Sequence, residues 1–237
     1  MVYQVFISHS HVDKELAMKI KELLKSYSLD AFVAHEDIAP NAEWVATIFS
    51  TAKESQIFIY LLSENFYASE SRWPDHEIGI GIGKGSALIP ISIDNTTPYG
   101  ALSQIQKARL VDCGPRDKSL CIKSGRENID LSFFVIKQWH EKEPTEAVEH
   151  LIRSLGTASS FRTGEKMMEL IVKFDEQIGL TREQLTDLVG AALSNNQIFH
   201  EFVRTTSRDA VLELINKYET LLDGELVSEA RSKKFLY

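Results

Sequence analysis

The run Gln56-Ile57-Phe58-Ile59-Tyr60-Leu61-Leu62 constrains the fold of this chain more than any other stretch. It has strand length and is apolar without alternation, so both faces of the strand must be covered. That is the signature of a parallel sheet sandwiched by helices. Its flanks agree. Residues 3–8 (YQVFIS), 31–34 (AFVA), 87–93 (ALIPISI) and, more weakly, 109–113 (RLVDC) also read as strands. Between them, Leu16, Ala17, Ile20, Leu23, Leu24 and Tyr27 recur at helical spacing, as do Trp44, Val45, Ile48, Phe49 and Ala52. Another helix opens at Pro74, where a missing N–H costs nothing, and a short one is expected near 100–106. Ser10-x-x-Asp13 has the form of an acidic capping box. Pro90 inside its run suggests an edge strand or a bulge.

Strand alternating with helix implies right-handed crossovers and a parallel sheet. Ligands of such sheets bind beyond the carboxyl ends of the strands. Three loops meet there: Ser8 to His11, Ala34 to Glu43 and Ser63 to Trp73. Just past the third, Trp73 and Glu77 lie four apart, so one helical turn sets an indole and a carboxylate on the same side. A flat base and a sugar diol would fit that pair. The plainer reading of Glu77 is a solvated acid favouring the helix dipole, and of Trp73 a core aromatic.

Residues 114–127 (GPRDKSLCIKSGRE) are polar and read as a loop. Beyond them the pattern is helical, near 128–141, 144–155, 163–178, 181–193, 195–204 and 207–222. Gly164 and Gly179 punctuate it, and Thr181-x-x-Gln184 makes a capping box. The expected division is an α/β domain over 1–140 and an all-α domain over 141–237. The latter should gather Ile171, Phe174, Leu185, Leu188, Val189, Leu193, Phe199, Phe202, Leu212 and Ile215 into its core.

Charge and composition narrow the partners. A net charge of −8, with Lys and Arg scattered among acids, argues against nucleic acid. Ile57 to Leu62 is far too short to cross a bilayer, so no membrane partner is expected. No leader pattern precedes the first strand, and two cysteines, Cys113 and Cys121, make no disulfide framework; a cytoplasmic location is the simplest expectation. His9-x-His11 with His35 and His76 reads as a polar rim rather than a metal site. Gly79, Gly81, Gly83 and Gly85 alternate at the end of a helix, which suits close packing and a turn rather than phosphate binding. Cys113 reads as a small buried hydrophobe.

Phe6-Ile7-Ser8-His9-Ser10 before an Asp-containing helix start resembles the first signature of Toll/interleukin-1 receptor (TIR) domains. The run 32–44 (FVAHEDIAPNAEW) resembles the second strand and following loop of bacterial TIR proteins, and Trp73 to Glu77 with Ile89-Pro90-Ile91 resembles their third signature and fourth strand. The resemblance implies a flavodoxin-like, five-stranded parallel sheet with helices on both faces. It implies one of two roles: assembly through TIR–TIR contacts, or cleavage of NAD+ at the nicotinamide–ribose bond, in bacterial proteins of antiphage defence. Glu77 would then be the catalytic glutamate and Trp73 a wall of the pocket. Ser8 and the backbone at Phe6 and Ile7 would form its floor, and His35, Asp37 and Trp44 would belong to the loop region that covers it. NAD+ is substrate, with no cofactor and no metal. The implied partners are other TIR domains, a homo-oligomer, and an effector that binds the nucleotide product.

The chemistry is consistent with a single carboxylate. Nicotinamide leaves neutral and needs no acid, so one group can hold the ribose hydroxyls and face the growing oxocarbenium charge. That group must be ionised, as an ordinary Glu with a pKa of about 4.3 is at pH 7. Asp75 is a rival acid beside it. Two other readings stay open: a non-catalytic TIR adaptor, and a related nucleoside N-glycosidase.

Overall fold

The structure, a computed structural model, describes residues 3–33, 43–68, 73–114, 117–124, 126–200 and 203–233. The chain divides into two compact units, Met1–Lys142 and Glu143–Tyr237.

The first unit runs β1 (Val5–Ser8), α1 (Lys14–Lys25), β2 (Ala31–Val33), α2 (Trp44–Glu54), β3 (Ile57–Leu62), α3 (Glu64–Ala68), α4 (Trp73–Lys84) and β4 (Ala87–Ser92). It continues with β5 (Ala108–Gly114), β6 (Asp117–Ser124), β7 (Glu127–Asp130) and α5 (Leu131–His140). The sheet order is β2-β1-β3-β4-β5-β6-β7. The first five strands are parallel, as the strand–helix alternation requires, and β6 and β7 add antiparallel. All six residues of β3 are buried, as a doubly covered strand must be. On one face Phe32, Phe6 and Phe58 stand on paired strands, with ring centroids 5.4 and 5.2 Å apart. Tyr60 continues the series 6.0 Å from Phe58. Ile48 and Ala52 of α2 and Ile78 of α4 close over this ladder. Successive residues alternate faces, so Val5, Ile7, Ile57, Ile59 and Leu61 are buried on the other side. There α1 packs on β2, and α5 on β4 and β6.

Four local expectations are corrected here. The 114–127 segment contains strand β6 and the start of β7, not only loop: Ile122 is buried against β5, and the polar residues around it disguised the alternation. The helix expected from 128 starts at Leu131, because Asp130 turns its carboxylate onto the Ser132 and Phe133 amides. Pro90 is in neither an edge strand nor a bulge: β4 is central. Ala87 N–H and Ile93 N–H donate to carbonyls on the β3 side. Alternation therefore turns the Pro90 nitrogen toward β5, whose pairing with β4 begins only at Ile91, so no ladder bond is lost. Cys113 and Cys121 are joined as a disulfide across β5 and β6, with Cα atoms 5.1 Å apart. The antiparallel pairing, invisible while β6 read as loop, is what brings them together.

The second unit is helical: α6 (Pro144–Leu155), α7 (Phe161–Ile178), α8 (Arg182–Ser194), α9 (Thr206–Lys217) and α10 (Gly224–Ser232). Ile171, Phe174, Leu185, Leu188, Val189, Leu193, Phe199 and Ile215 are buried as expected, and Leu212 is half-buried. Phe202 lies outside the described residues. The Thr181–Gln184 capping box is present in both directions. No helix forms over the described part of 195–204. Instead Asn195 ends α8, its side-chain amide donating to the Leu155 and Ala158 carbonyls at 2.7 and 3.0 Å. Gly164 is not a break but a point of close approach inside α7, where a Cβ would come within 2.6 Å of Ile198. The helix expected over 207–222 stops at Lys217, and α10 follows it. No helix among the described residues is long and apolar enough to cross a membrane.

Candidate functional site

Parallel pairing brings the carboxyl ends of β1, β3 and β4 to one edge, at Ser8, Leu62 and Ser92. The loops after β1 and β3 are tied together there. Ser63 Oγ donates to Asp13 Oδ2 at 2.6 Å and accepts from the Phe66 amide at 3.0 Å. Asp94, after β4, accepts from the Glu64 amide at 2.9 Å. Asp13 is thus a tie to β3 rather than the second half of a capping box; Ser10 alone caps, bonding the Val12 amide.

Glu77 faces this edge from the second turn of α4. Its side chain meets the end of β1, where Ser8 Oγ donates to Glu77 Oε2. The residue is only 4% exposed. Burial pushes its carboxyl up to about 7, against the smaller downward pull of the Ser8 hydrogen bond. This corrects the expectation of an ordinary, fully ionised glutamate: near neutral pH, protonated and ionised forms coexist. Tyr60, paired with Ser8 across β1 and β3, donates to the Glu77 backbone carbonyl at 3.4 Å. Burial, then the nearby Glu77 charge, hold that phenol far above its usual range, so it stays a donor.

Trp73 opens α4 with Pro74 behind it. Its half-buried indole meets Phe49 of α2 edge-on at 6.0 Å and His76 at 5.7 Å. Asp75 is exposed, and two positions along a helix is about 200° of rotation, so it faces away from Glu77. The Phe6 and Ile7 side chains are wholly buried, leaving only their backbone near the edge. Trp44 begins α2. His35 and Asp37 lie outside the described residues. His9 is buried with Nδ1 3.4 Å from the Ile7 carbonyl, while His11 and His76 are exposed. Among the described residues no three His, Cys, Asp or Glu side chains cluster as metal ligands. A cavity of about 430 Å³ lies at the opposite end of α4, lined by Ile82, Ser86, Leu88, Ile105, Gln138 and Lys142 among others, and involves none of these groups.

Two contributors escaped the sequence reading. Tyr60 was legible in hindsight as the one hydroxyl in an otherwise aliphatic and phenyl strand. The Asp13–Ser63 tie had no local signal, since its partners are fifty residues apart.

Residues 5–120, just under half of the chain, match the family model described as TIR domain. No curated protein matches the chain. Among solved structures, it is similar to the TIR domain of the Toll-related receptor TRR-2 from Hydra magnipapillata. The identity is 20% and the TM-score 0.40, over 45% of this chain and 83% of that one. The first unit has the TIR fold, a sheet of parallel strands layered with helices, and the helices of the second unit follow it.

Proposed function

We propose that the first unit is a TIR-type NAD+ nucleosidase that splits the nicotinamide–ribose bond, with Glu77 as its catalytic carboxylate. The observation that carries this is the Ser8–Glu77 contact: the one buried acid of the first unit's described residues stands at the carboxyl edge of a parallel sheet, one helical turn from Trp73. In this reading Trp73 packs against the nicotinamide and Glu77 takes the ribose hydroxyls. The carboxylate then faces the positive charge of the oxocarbenium-like transition state.

Its elevated pKa has a use here. A buried carboxylate is poorly hydrated, so its field acts on the sugar with little screening. The cationic nicotinamide ring would favour the ionised form on binding. The free enzyme should therefore lose kcat/KM below about pH 7, and the bound complex should hold kcat to lower pH. Ser8 would keep the carboxyl oriented. The products would be nicotinamide and ADP-ribose, linear or cyclised, and TIR–TIR assembly would regulate the activity.

The same contact supports a second reading. A buried, hydrogen-bonded carboxyl also pins α4 to β1, as a scaffold that only assembles with other TIR domains would need. A fluorescent NAD+ analogue, incubated with the full chain and with Glu77→Gln at high concentration and under crowding, separates the two. Cleavage by the first and at least a hundredfold less by the second is expected, since one preorganised electrostatic group lowers the barrier by about 3 kcal/mol. No cleavage by the wild type would leave the scaffold. Cleavage of a nucleoside but not of NAD+ would assign an N-glycosidase.

A further inference from the structure

Gly79, Gly81, Gly83 and Gly85 alternate along the end of α4 and the turn after it, and only one of them stands at a close approach. A Cβ on Gly81 would come within 2.8 Å of Leu88 Cδ2, 2.9 Å of Tyr60 Oη and 3.3 Å of Phe58 Cγ. Nothing lies within 4 Å of the corresponding points on Gly79 and Gly83. Gly85 has φ +77° and makes the turn into β4, where a side chain would be strained.

Gly81 is four residues beyond Glu77, one turn along the same face of α4. Of the groups beneath it, the half-buried Leu88 side chain can turn aside beside the cavity, but the two rings cannot easily yield. Phe58 is stacked between Phe6 and Tyr60, with centroids 5.2 and 6.0 Å away. Tyr60 is wholly buried, and its hydroxyl reaches the Glu77 carbonyl. A methyl group at position 81 would therefore lift the helix rather than displace the ladder. The geometry points to Gly81 as a positioning residue for Glu77: its missing side chain lets α4 settle on Phe58, Tyr60 and Leu88, and that seating delivers the carboxyl to Ser8. The kinetic part of this inference rests on the proposed NAD+ cleavage; the seating itself does not.

The test compares the full-length wild type with Gly81→Ala, and with Gly79→Ala and Gly83→Ala as the same substitution on the same helix. The readouts are the titration of the Glu77 carboxyl by NMR, assigned with Glu77→Gln, and the kinetics of NAD+ cleavage. Gly81→Ala should move the Glu77 midpoint down toward the ordinary glutamate value, because relieving its burial, the larger effect, outweighs the rise from losing the Ser8 hydrogen bond. It should lower kcat about a hundredfold with KM within about threefold, the effect of misplacing a reacting group by about 1 Å. Gly79→Ala and Gly83→Ala should leave both readouts within about twofold of wild type, because their added methyls meet nothing. Adding Tyr60→Phe and Leu88→Ala to Gly81→Ala removes the two nearest atoms and should return the midpoint to that of the Tyr60→Phe/Leu88→Ala double variant.

A Gly81→Ala protein with the wild-type midpoint and kcat overturns the inference. So does a Gly79→Ala protein as impaired as Gly81→Ala. If Gly81→Ala alone does not fold, a folded triple variant whose midpoint departs from the double variant's overturns it, and agreement supports it. If the wild type cleaves no NAD+, the function fails while the titration arms still decide the seating.

Discussion

Replacing Glu77 by Gln should stabilise the protein while abolishing its proposed activity. The carboxyl titrates near 7 in the folded protein against an ordinary value of 4.5, because burial penalises the charge. A raised pKa in an acid means that folding favours the protonated form. The associated stability is fully present below pH 4.5 and is lost as pH rises through 7. At about 1.4 kcal/mol per pH unit, the gap between the two values corresponds to roughly 3 kcal/mol above pH 8, and to less than about 1 kcal/mol at pH 5. Glutamine keeps the shape and an oxygen for the Ser8 hydroxyl, and carries no charge to bury. The assay follows from the sequence: Trp44, Trp73 and Trp139 all belong to the first unit, so tryptophan fluorescence reports its unfolding alone. Between pH 5 and 8 the wild type should lose about 2–3 kcal/mol relative to Glu77→Gln. With a urea slope of about 2 kcal/mol per M, that is a midpoint difference of roughly 1 M. Parallel pH profiles for the two proteins would refute the buried-acid account, since every other titrating group is common to both.

Other consequences are measurable. Ser8→Ala removes the hydrogen bond that opposes burial, so the Glu77 midpoint in an NMR titration should rise further. Cleavage of NAD+ by the wild type should show an acid limb in kcat/KM near pH 7, absent in no active variant that keeps Glu77 buried. In the second unit, Asp175 is buried and accepts from Lys217 at 2.6 Å, Tyr218 at 2.7 Å and the Leu180 amide at 3.1 Å. Asp175→Ala should cost about 2 kcal/mol in helix unfolding followed by circular dichroism, because it leaves the buried Leu180 amide without its acceptor and removes the Tyr218 bond, while the exposed Lys217 ammonium turns to water. Reduction of the Cys113–Cys121 bond, which closes a hairpin with a sequence separation of 8, should lower the stability of the first unit by about 2 kcal/mol. Thiol alkylation with mass spectrometry checks the redox state directly.

Some of this was legible along the chain. Unbroken apolarity over Ile57–Leu62 demanded cover on both faces, and helical spacing on either side supplied it. The Thr181–Gln184 box and the start of α6 at Pro144 depend on residues within one turn, and both are where local chemistry puts them. The Trp73–Glu77 pair was equally local, one turn of a helix opened by a proline. What failed to read through was contact between distant segments. The β6 strand is polar enough to pass for loop and becomes a strand by pairing with β5, which also brings Cys113 to Cys121. Gly164 looked like punctuation because its reason, Ile198, is thirty-four residues away.

The sequence by itself set Glu77 just past the end of a strand in a parallel sheet, since strand–helix alternation follows from short-range pattern. It could not determine the state of that carboxyl. Ionisation depends on what surrounds the group in three dimensions. Only the packed structure, which buries Glu77 between α4 and the end of β1, takes the carboxyl out of water and moves its titration up to about 7, against the downward pull of the Ser8 hydrogen bond.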